Sequence, residues 1–398
     1  MVGSFVPFAR PAIGEAEIEE VVAVLRSGWV TSGPRVAQFE EDFKAYTGAR
    51  HALAVNSATA GLHLALAALR IGPGDEVITT PMTFCATVNV ILQVGAKPVL
   101  VDIGPDLNID TRCIEAALTP RTKAILPVHI AGLPCDMGKI WGIAERHNLA
   151  VVEDAAHASG ASYQGAKIGN GRSAAAVFSF YANKNMTTGE GGMVVTPCAE
   201  LNERMRILCL HGISRDAWNR YSEAGKWFYE VVDCGFKYNM PDTAAAIGIH
   251  QLRKLDGMNA RRAAVALAYN AAFRNMPELQ LPAGERAAGH AWHLYVLRLN
   301  LSRLSIGRDR FIQKLRERGI GCSVHFIPIP LHPAYRDNVA MPDGCGNALG
   351  EYKRCLSLPL DATISDEEVQ RVIRAVKDVV AESLTDYACR PREVAVVS

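Results

Sequence analysis

The 398-residue sequence predicts an α/β protein with a mainly parallel sheet, followed by a smaller α+β domain. Between residues 51 and 153, short apolar segments typical of buried strands alternate with helical stretches, which is the βαβ pattern of a parallel sheet. After about Pro277 this alternation ends, and shorter strands and helices follow. We therefore predict a large domain over residues 1–250, a small domain over 251–384, and a mobile tail over 385–398, which lack periodicity.

Two helices are predicted before the first strand. The first begins near Ile13, and its apolar residues recur at helical spacing, which predicts that they form its buried face: Ile18, Val21, Val22 and Leu25. Gly28–Pro34 interrupts the pattern, and Trp29 within it either lines a pocket or packs against a helix. The second helix is predicted over Val36–Thr47.

The alternating region carries the strands of the predicted parallel sheet. The predicted strands are His51–Val55, Asp75–Pro81, Lys97–Val101, Ala124–His129 and Ala150–Glu153. A helix opens after Asn56, and further helices are predicted over Ala86–Leu92, Thr111–Leu118 and Lys139–His147. Two more apolar strands, Ala174–Phe180 and Met193–Thr196, flank a connection that is rich in glycine.

The remaining elements prepare and form the small domain. We predict a helix over Ala199–His211, a long surface loop over Ser214–Trp227 and a long, alanine-rich helix over Thr243–Phe273 that joins the two domains. The small domain is predicted to contain strands over Ala291–Leu299 and Cys322–Phe326, and helices over Arg308–Arg318 and Ser365–Ser383.

The composition argues against several classes of function. Because 42 Lys and Arg face 41 Asp and Glu, the formal net charge is +1 and no overall field attracts nucleic acid or an anionic membrane. No apolar run approaches the roughly 20 residues of a membrane span. Met1–Arg10 also lacks the basic flank and apolar stretch of a signal peptide, so we predict a cytoplasmic location.

Neither a metal site nor a dinucleotide site is predicted. The ten cysteines are scattered, with no CxxC pair and no Cys/His group at zinc spacing, so they are expected to be reduced and packed as small apolar residues. Gly169–Ala174 matches the fingerprint GxGxxA, but it precedes a strand instead of following one. A nucleotide-binding dehydrogenase would rest on this match alone.

Lys184 is the proposed reactive residue. It lies in the glycine-punctuated connection between the strands Ala174–Phe180 and Met193–Thr196, where the backbone can turn tightly. A lysine amine becomes a nucleophile toward carbonyls when burial or neighbouring charge disfavours its ammonium form. A solvated loop lysine is the alternative, and only partners elsewhere in the chain decide between the two.

Several candidate partners follow strands of the predicted sheet. In parallel sheets functional groups collect at the carboxyl ends of the strands, and Asp154, His157, Phe84 and Ser179 all occupy such positions. Taken singly, Asp154 could be a helix cap and His157 a core histidine. The turn that begins with Ser57 opens a helix, whose free first-turn N–H groups and dipole favour an anion, although Ser57 could simply cap that helix.

Together these residues match the requirements of pyridoxal 5′-phosphate. That cofactor needs a lysine for an imine, here Lys184, and a carboxylate that keeps its ring nitrogen protonated, here Asp154. His157 is predicted beside the ring near its phenolic oxygen, and Phe84 is predicted to stack on the ring. The predicted phosphate ligands are Ser57, Ala58, Thr59 and Ser179. Lys184, Asp154 and His157 are the predicted catalytic residues.

Five motifs extend this hypothesis: Asn56–His63, Glu153–Ala158, Phe178–Phe180 with Lys184 and Asn185, Gly189–Gly192, and Gly235–Asn239. Together they resemble the DegT/DnrJ/StrS family of sugar aminotransferases, and the resemblance covers roughly residues 5 to 380. Three further segments are similar to the aminotransferases that act on UDP-linked 4-keto sugars, notably the 4-keto-pentose enzyme of lipid A modification: Gly28–Pro34, Pro127–Gly132 and Ala291–Leu294.

The resemblance implies a pyridoxal-phosphate-dependent transferase of fold type I, like aspartate aminotransferase, with a mainly parallel seven-stranded sheet. It also implies a homodimer with active sites at the subunit interface, in which Asn239 reaches the phosphate of the neighbouring subunit's cofactor. His325, Trp29 and Thr31 are the implied substrate-binding residues. A related dehydratase branch carries histidine at the position of Lys184, so the lysine favours transamination.

The implied reaction transfers the amino group of L-glutamate to the keto carbon, expected to be C4, of a nucleotide-linked sugar, in a pathway such as lipopolysaccharide synthesis. A 3-keto-sugar or cyclitol aminotransferase would have the same fold and cofactor. A regulatory protein that binds pyridoxal phosphate without turnover is a further alternative, and it would show no spectral change with glutamate.

Overall fold

The computed structural model describes residues 5–214, 229–282 and 289–384. Most of the loop predicted over Ser214–Trp227 and the whole tail predicted over residues 385–398 therefore lie outside the described residues. No helix in the described part of the chain is long and apolar enough to cross a membrane. The cytoplasmic location stays a prediction.

The helices and strands are numbered in chain order. The α-helices are α1 (Glu15–Ser27), α2 (Pro34–Thr47), α3 (Ala58–Ala68), α4 (Cys85–Gln93), α5 (Met137–His147), α6 (Ala199–Cys209), α7 (Asp242–Phe273), α8 (Arg308–Glu317), α9 (Gly346–Tyr352) and α10 (Asp366–Ala381). The strands are β1 (His51–Val55), β2 (Glu76–Thr79), β3 (Lys97–Leu100), β4 (Thr122–Ile125), β5 (Ala150–Asp154), β6 (Ser162–Tyr163), β7 (Ala166–Lys167), β8 (Ala175–Ser179), β9 (Gly192–Thr196), β10 (Leu279–Gln280), β11 (Tyr295–Leu299) and β12 (Cys355–Leu358).

A seven-stranded sheet forms the centre of the protein, in the order β1-β9-β8-β5-β4-β2-β3. The neighbours from β8 to β3 are parallel, whereas β9 runs antiparallel to both β8 and β1. The predicted mainly parallel, seven-stranded sheet is therefore confirmed. Its parallel strands end at one edge, where Asp154 of β5 pairs with Val177 of β8 and Ser179 ends β8 two residues further on.

Helices cover both faces of this sheet. Because side chains alternate along a strand, Val177 of β8 packs with Leu62 of α3 on one face, and Phe178 packs with Phe43 of α2 on the other. Helix α3 approaches the sheet so closely that a Cβ on Gly61 would lie 2.7 Å from Val177 Cγ1. Glycine at this position therefore sets how near the start of α3 lies to the ends of β8 and β9.

A second, three-stranded sheet in the order β10-β11-β12 forms its own core with α8 and α10. Helix α7 contributes to both cores: Leu252 and Leu255 pack in the core of the large sheet, and Val265 and Tyr269 pack in the second core. The long joining helix is thus present as predicted. The proposed boundary at residue 250 falls inside it and stays a prediction.

The orientation of α1 differs from the prediction. Its apolar residues were expected to face the core, yet Ile18 and Leu25 are 48% and 56% exposed, while Glu17 is only 1% exposed. The reason is a set of polar contacts: Glu17 accepts hydrogen bonds from the backbone N–H of Gly14 and from Gln251 Nε2 of α7 at 2.9 Å, and it pairs with Lys254. These contacts turn the apolar stripe outward.

Two other predicted elements are absent or shortened. Residues 111–118 form only a short 3₁₀ turn, Glu115–Ala117, because the Asp110 carboxylate accepts hydrogen bonds from both the backbone and the side chain of Arg112 and competes with a helix. The strand predicted over Cys322–Phe326 does not form. Only Ser323 pairs with β12, at Ser357, and the chain then leaves the sheet.

Asp242 provides a test of how α2 is attached to α7. Its buried carboxylate accepts hydrogen bonds from the backbone N–H groups of Gly33, Arg35 and Val36 at 2.8–3.1 Å, so the first residue of α7 caps the start of α2. Asp242→Ala is expected to lower the free energy of unfolding by about 3 kcal/mol, because it leaves those donors unpaired. Denaturant unfolding measures the loss. Asp309→Ala, on an exposed carboxylate at the start of α8, is the control, and an equal loss in both variants would refute the role of Asp242.

Candidate active site

A cavity of about 510 Å³ opens at the carboxyl ends of β5 and β8, between the first turns of α3 and α4. The residues that were predicted from the sequence and line this cavity are Ser57, Ala58, Thr59, Phe84, Asp154, His157, Ser179, Lys184 and His325. These residues are separated by up to 268 positions in the chain (325 − 57), so the fold brings together one site from most of the sequence.

Lys184 lies in the turn that follows β8, where its backbone N–H donates to Tyr181 O at 2.9 Å. Its surroundings remove water from the amine, and this desolvation lowers the pKa of Lys184 to about 8, against the smaller opposing attraction of Asp154. No hydrogen bond to Nζ is formed by the described residues. The amine is therefore partly unprotonated near neutral pH and available as a nucleophile or base.

Asp154 ends β5 and is 5% exposed. Thr87 Oγ1 of α4 donates to its Oδ2 at 2.8 Å, and the backbone N–H of Ala156 donates to its Oδ1 at 3.1 Å. Since the Thr87 hydroxyl proton points to the carboxylate, the Thr83 hydroxyl, 2.7 Å from Thr87 Oγ1, donates to Thr87 in turn. Burial raises the pKa of Asp154, and these hydrogen bonds together with the charge of Lys184 oppose that rise.

His157 is uncharged and has a defined tautomer. Its Nδ1 accepts a hydrogen bond from the backbone N–H of Ala131 at 3.3 Å, so the ring proton is on Nε2. Burial, and secondarily the charge of Lys184, lowers the pKa of His157 well below its ordinary value. The ring lies against His293, with centroids 4.3 Å apart, and stacks with Phe326 at 5.8 Å. His157 thus offers an N–H donor to a ligand beside it.

The first turn of α3 has the properties of an anion site. Ser57 caps the helix, because its Oγ accepts a hydrogen bond from Ala60 N at 3.1 Å, and its role as a phosphate ligand stays a prediction. The backbone N–H groups of Ala58 and Thr59 have no hydrogen-bond partner among the described residues. Ser179 Oγ accepts from Tyr181 N at 3.4 Å, which leaves its hydroxyl proton for a ligand. These donors suit a phosphate.

Aromatic side chains form the opposite wall. Phe84, the residue before α4, is 59% exposed and lies 6.1 Å from Phe326, so its ring is available to a planar ligand. His325 Nδ1 is 2.8 Å from Ser357 Oγ, and its ring stacks with Phe8 at 5.3 Å. Burial lowers the pKa of His325 to about 4, so it is neutral as well.

Three predicted residues do not line the cavity of their own chain. Trp29 and Asn239 line a separate cavity of about 670 Å³ together with Ser32, to whose Oγ Asn239 Nδ2 donates at 2.7 Å. Thr31 is exposed, and its carbonyl accepts from Asp242 N. Trp29 Nε1 donates to Ser32 O, and the residue is 46% exposed, so of the two alternatives raised from the sequence the structure shows it at a pocket. Their roles in substrate or cofactor binding stay predictions.

Thr87 and His293 are among the residues of the site that the sequence analysis missed. Thr87 was placed only within a predicted helix, although its position two residues after Cys85 in the first turn of α4 brings it to the strand edge that holds Asp154. His293 was used only as part of a motif, and its segment was expected to be a strand. The structure begins β11 at Tyr295 and leaves His293 in the cavity wall, a placement that no periodicity could indicate.

The chain matches the family model described as the DegT/DnrJ/EryC1/StrS aminotransferase family over residues 11–377. It is 50% identical over 379 residues to the spore coat polysaccharide biosynthesis protein SpsC of Bacillus subtilis, covering 94% of this chain and 97% of that protein. The chain belongs to the DegT/DnrJ/EryC1/StrS aminotransferase family. The predicted family is thereby confirmed.

Solved structures of sugar aminotransferases are also similar to this chain. The PLP form of the putative sugar aminotransferase Spr1654 from Streptococcus pneumoniae is 35% identical, with a TM-score of 0.89, over 96% of this chain and 100% of that one. A PMP form of the same protein matches with a TM-score of 0.89. PseC of Helicobacter pylori, an aminotransferase involved in the biosynthesis of pseudoaminic acid, is 31% identical over 95% of this chain and 100% of that one, with a TM-score of 0.88.

The enzyme is therefore a pyridoxal-phosphate-dependent sugar aminotransferase of fold type I. Its cavity fits the cofactor: a lysine amine of lowered pKa, a buried carboxylate and unpaired N–H groups at the start of α3 face one space. Gly169–Ala174 precedes β8, so the dinucleotide fingerprint has no structural counterpart, and the dehydrogenase alternative loses its support. Within the described residues, no cluster of His, Cys, Asp and Glu could hold a metal.

Thr87→Val tests the support of Asp154. The variant removes one of two hydrogen bonds to the carboxylate, so the pKa of Asp154 should rise and kcat should fall about tenfold, the value of one charged hydrogen bond. The acid limb of the rate profile should move to higher pH, because Asp154 acts when ionised. Thr87→Ser keeps the hydroxyl and is the control. A Thr87→Val enzyme with the wild-type pH profile would contradict this role.

Proposed function

We propose that this enzyme transfers the amino group of L-glutamate to the keto carbon, C4, of a nucleotide-linked sugar. The observation that carries the proposal is the Lys184 amine, whose pKa is lowered to about 8, in one cavity with Asp154 and the free N–H groups of α3. When bound, pyridoxal phosphate supplies an electron sink for a carbanion at the carbon next to nitrogen.

Lys184 is the proton carrier of both half-reactions. An amine with a pKa near 8 is a strong enough base to take a proton from a carbon acidified by the cofactor, and its conjugate acid returns that proton readily. With pyridoxal phosphate bound, the Lys184 amine would take the proton from the Cα of glutamate in the first half-reaction. In the second, its ammonium form would deliver a proton to the former keto carbon of the sugar.

Asp154 and His157 tune the cofactor from two sides. The Asp154 carboxylate accepts a hydrogen bond from the ring N–H and keeps that nitrogen protonated, an electrostatic contribution that grows as negative charge enters the ring. His157, with its proton on Nε2, donates to the phenolic oxygen. Ser57, Ala58, Thr59 and Ser179 hold the phosphate, and Phe84 covers the ring.

The substrate class rests on the family and on the relatives. Spr1654 is described as a putative sugar aminotransferase, and PseC acts in pseudoaminic acid synthesis, so a sugar that carries a ketone is the favoured acceptor. His325, neutral and held by Ser357, is the proposed contact to the sugar. UDP and the 4-keto position follow from the resemblance of Gly28–Pro34, Pro127–Gly132 and Ala291–Leu294 to enzymes of that type. A 3-keto sugar or a cyclitol would use the same machinery.

We further propose that the active enzyme is a homodimer with shared sites. The apolar stripe of α1, with Ile18 and Leu25 exposed, is a surface suited to a second copy. Trp29 and Asn239 lie outside the cavity of their own chain, which agrees with their serving the site of a neighbouring subunit. A cytoplasmic location and a role in lipopolysaccharide synthesis belong to the same proposal.

Lys184→Ala tests the cofactor linkage. The variant should bind pyridoxal phosphate without a covalent bond, so borohydride should no longer attach the cofactor to the protein, and turnover should fall at least a thousandfold, because nucleophile and base are both lost. Mass spectrometry after reduction measures the attachment. Lys167→Ala, on a lysine paired with Asp256 outside the cavity, is the control. Covalent cofactor in the Lys184→Ala protein would contradict the assignment.

The acceptor can be identified with the pyridoxamine form. UDP-linked 4-keto sugars, 3-keto sugars and a cyclitol ketone are offered separately, and return of the visible absorption of the bound aldehyde cofactor reports transfer. The proposal predicts that the UDP-linked 4-keto sugar reacts at least tenfold faster than the other ketones. Contacts to the diphosphate and to the base add binding energy only for a nucleotide-linked sugar. Preference for the cyclitol would replace the proposed substrate.

Subunit complementation tests the shared site. Lys184→Ala and Asn239→Asp are each expected to be nearly inactive, the second because its carboxylate repels the phosphate. After random mixing of unfolded and refolded subunits, hybrid dimers have one complete site, so about one quarter of the wild-type activity should return. Lys184→Ala mixed with itself is the control. No recovery would mean that Asn239 serves its own subunit or that no site is shared.

A further inference from the structure

Next to Lys184 lies a buried polar pair that none of the proposed steps uses. Asn185 follows Lys184 in the chain and is 3% exposed, and its Oδ1 is 3.0 Å from Nδ1 of His293, which is 4% exposed. His293 belongs to the cavity wall and lies against His157. A buried, hydrogen-bonded pair at the reactive lysine constrains which atoms of His293 face the site.

The hydrogen bonds of Asn185 determine the tautomer of His293. Asn185 Nδ2 is 2.7 Å from the backbone carbonyl oxygen of Ala291 and 2.7 Å from Asn259 Oδ1. A carbonyl oxygen only accepts, so the NH₂ group of Asn185 must be the side that faces Ala291. The remaining oxygen of Asn185 therefore faces His293 and can only accept, which requires a proton on His293 Nδ1.

The charges around His293 keep it neutral. Lys184, His157 and His325 face it from the cavity, and the buried Arg262 of α7 lies behind it, with Nη1 3.4 Å from His293 O. All four groups lower the pKa of His293, while the carboxylates of Asp154 and Glu190 line the same cavity. Burial lowers the pKa of His293 well below its ordinary value, and the neighbouring cations lower it further. With Nδ1 protonated and the ring neutral, Nε2 carries a lone pair.

That lone pair has no hydrogen-bond partner among the described residues, and neither has the amine of Lys184. Both groups belong to the wall of one cavity, and the charge of Lys184 acts on His293. A free amine that takes up a proton from carbon must keep its own lone pair directed at that carbon. An acceptor for one of its N–H bonds would fix that direction.

We infer that His293 is a positioning residue for Lys184: the Asn185 amide holds the imidazole so that Nε2 accepts a hydrogen bond from the free amine. The lone pair of Lys184 then remains on the substrate side, takes the proton from the donor carbon and returns it from the resulting ammonium group, so that no proton is lost to His293. The inference rests on the proposed function and adds to it the residue that orients the base.

Two substitutions separate this role from packing. His293→Asn should place its amide N–H where the ring has Nδ1, so it keeps the hydrogen bond to Asn185 but loses the acceptor for Lys184. His293→Gln should place its amide oxygen where the ring has Nε2, so it keeps that acceptor. If His293 orients Lys184, the Gln variant retains most of the activity and the Asn variant does not. If His293 matters only through Asn185, the order is reversed, which would overturn the inference.

The first readout is independent of turnover. In the pyridoxamine phosphate form Lys184 is free, and its reaction with an amine-directed acylating reagent, followed across pH by mass spectrometry, gives the pH at which the amine loses its proton. A hydrogen-bond acceptor favours the ammonium form, so His293→Asn should shift this midpoint downward by roughly one pH unit. His293→Gln should stay near the wild type. Equal midpoints in all three proteins would overturn the inference.

The second readout is kinetic. His293→Asn should lower kcat about tenfold with little change in KM for L-glutamate, and the isotope effect with α-deuterated glutamate should increase, because the proton step alone is slowed. Failure of the proposed function would appear differently, as a wild-type protein without covalent cofactor.

Should neither variant fold, nitrogen NMR of the wild-type histidines decides: a proton on Nε2 of His293 would overturn the inference.

Discussion

The proposed chemistry of this enzyme depends on holding the amine of Lys184 where its charged form is unfavourable. Lys184 is desolvated by the walls of the cavity, and the opposing carboxylate of Asp154 only partly restores the ammonium form, so the pKa of the lysine is about 8. A stronger ion pair would make Lys184 a permanent cation, and a solvated lysine would be one as well. Asp154 ends β5 and Lys184 lies in the turn that follows the neighbouring strand β8, so the pairing of these strands brings the carboxylate and the amine into one cavity.

The histidines around Lys184 add no charge to the cavity, although Glu190 also lines it. His157, His293 and His325 are all kept neutral by burial, and the first two have tautomers determined by fixed partners, the backbone of Ala131 and the amide of Asn185. The Thr87 hydroxyl and the backbone N–H of Ala156 donate to Asp154, and the charge of Lys184 adds to their effect. In a site of low polarity each of these contacts has a large effect, because an unpaired donor or acceptor there has no water to replace its partner.

Helix α7 connects this arrangement to the rest of the protein. Its first residue caps α2, its middle contributes Asn259 to the Asn185 network, and Arg262 contacts the carbonyl of His293 before the helix continues into the second core. A change in how the second sheet lies on the first would therefore reach the residues beside Lys184. The site therefore depends on both sheets and their helices, although the predicted cofactor-binding residues come mostly from the large sheet and the helices beside it.

Sequence reasoning was most successful for residues at strand ends whose side-chain chemistry suits few roles. Lys184, Asp154, His157 and the turn at Ser57 were placed correctly in a common cavity because alternation of strands and helices predicts which ends meet. It was wrong about α1, since periodicity identifies an apolar stripe but not the direction in which it faces, and Glu17 decided that direction. The strand predicted over Cys322–Phe326 failed because pairing needs a neighbour along its whole length, and only Ser323 has one.

The sequence by itself therefore determined the fold class and the cofactor and predicted the reactive lysine, because each follows from local pattern and from the chemistry of single residues. Only the tertiary structure decided which groups support them. Thr87 and His293 act through hydrogen bonds to residues 67 and 108 positions away, and Asn239 lies outside the cavity of its own chain. Distances between residues so far apart depend on how whole helices and sheets pack, and no short segment contains that information.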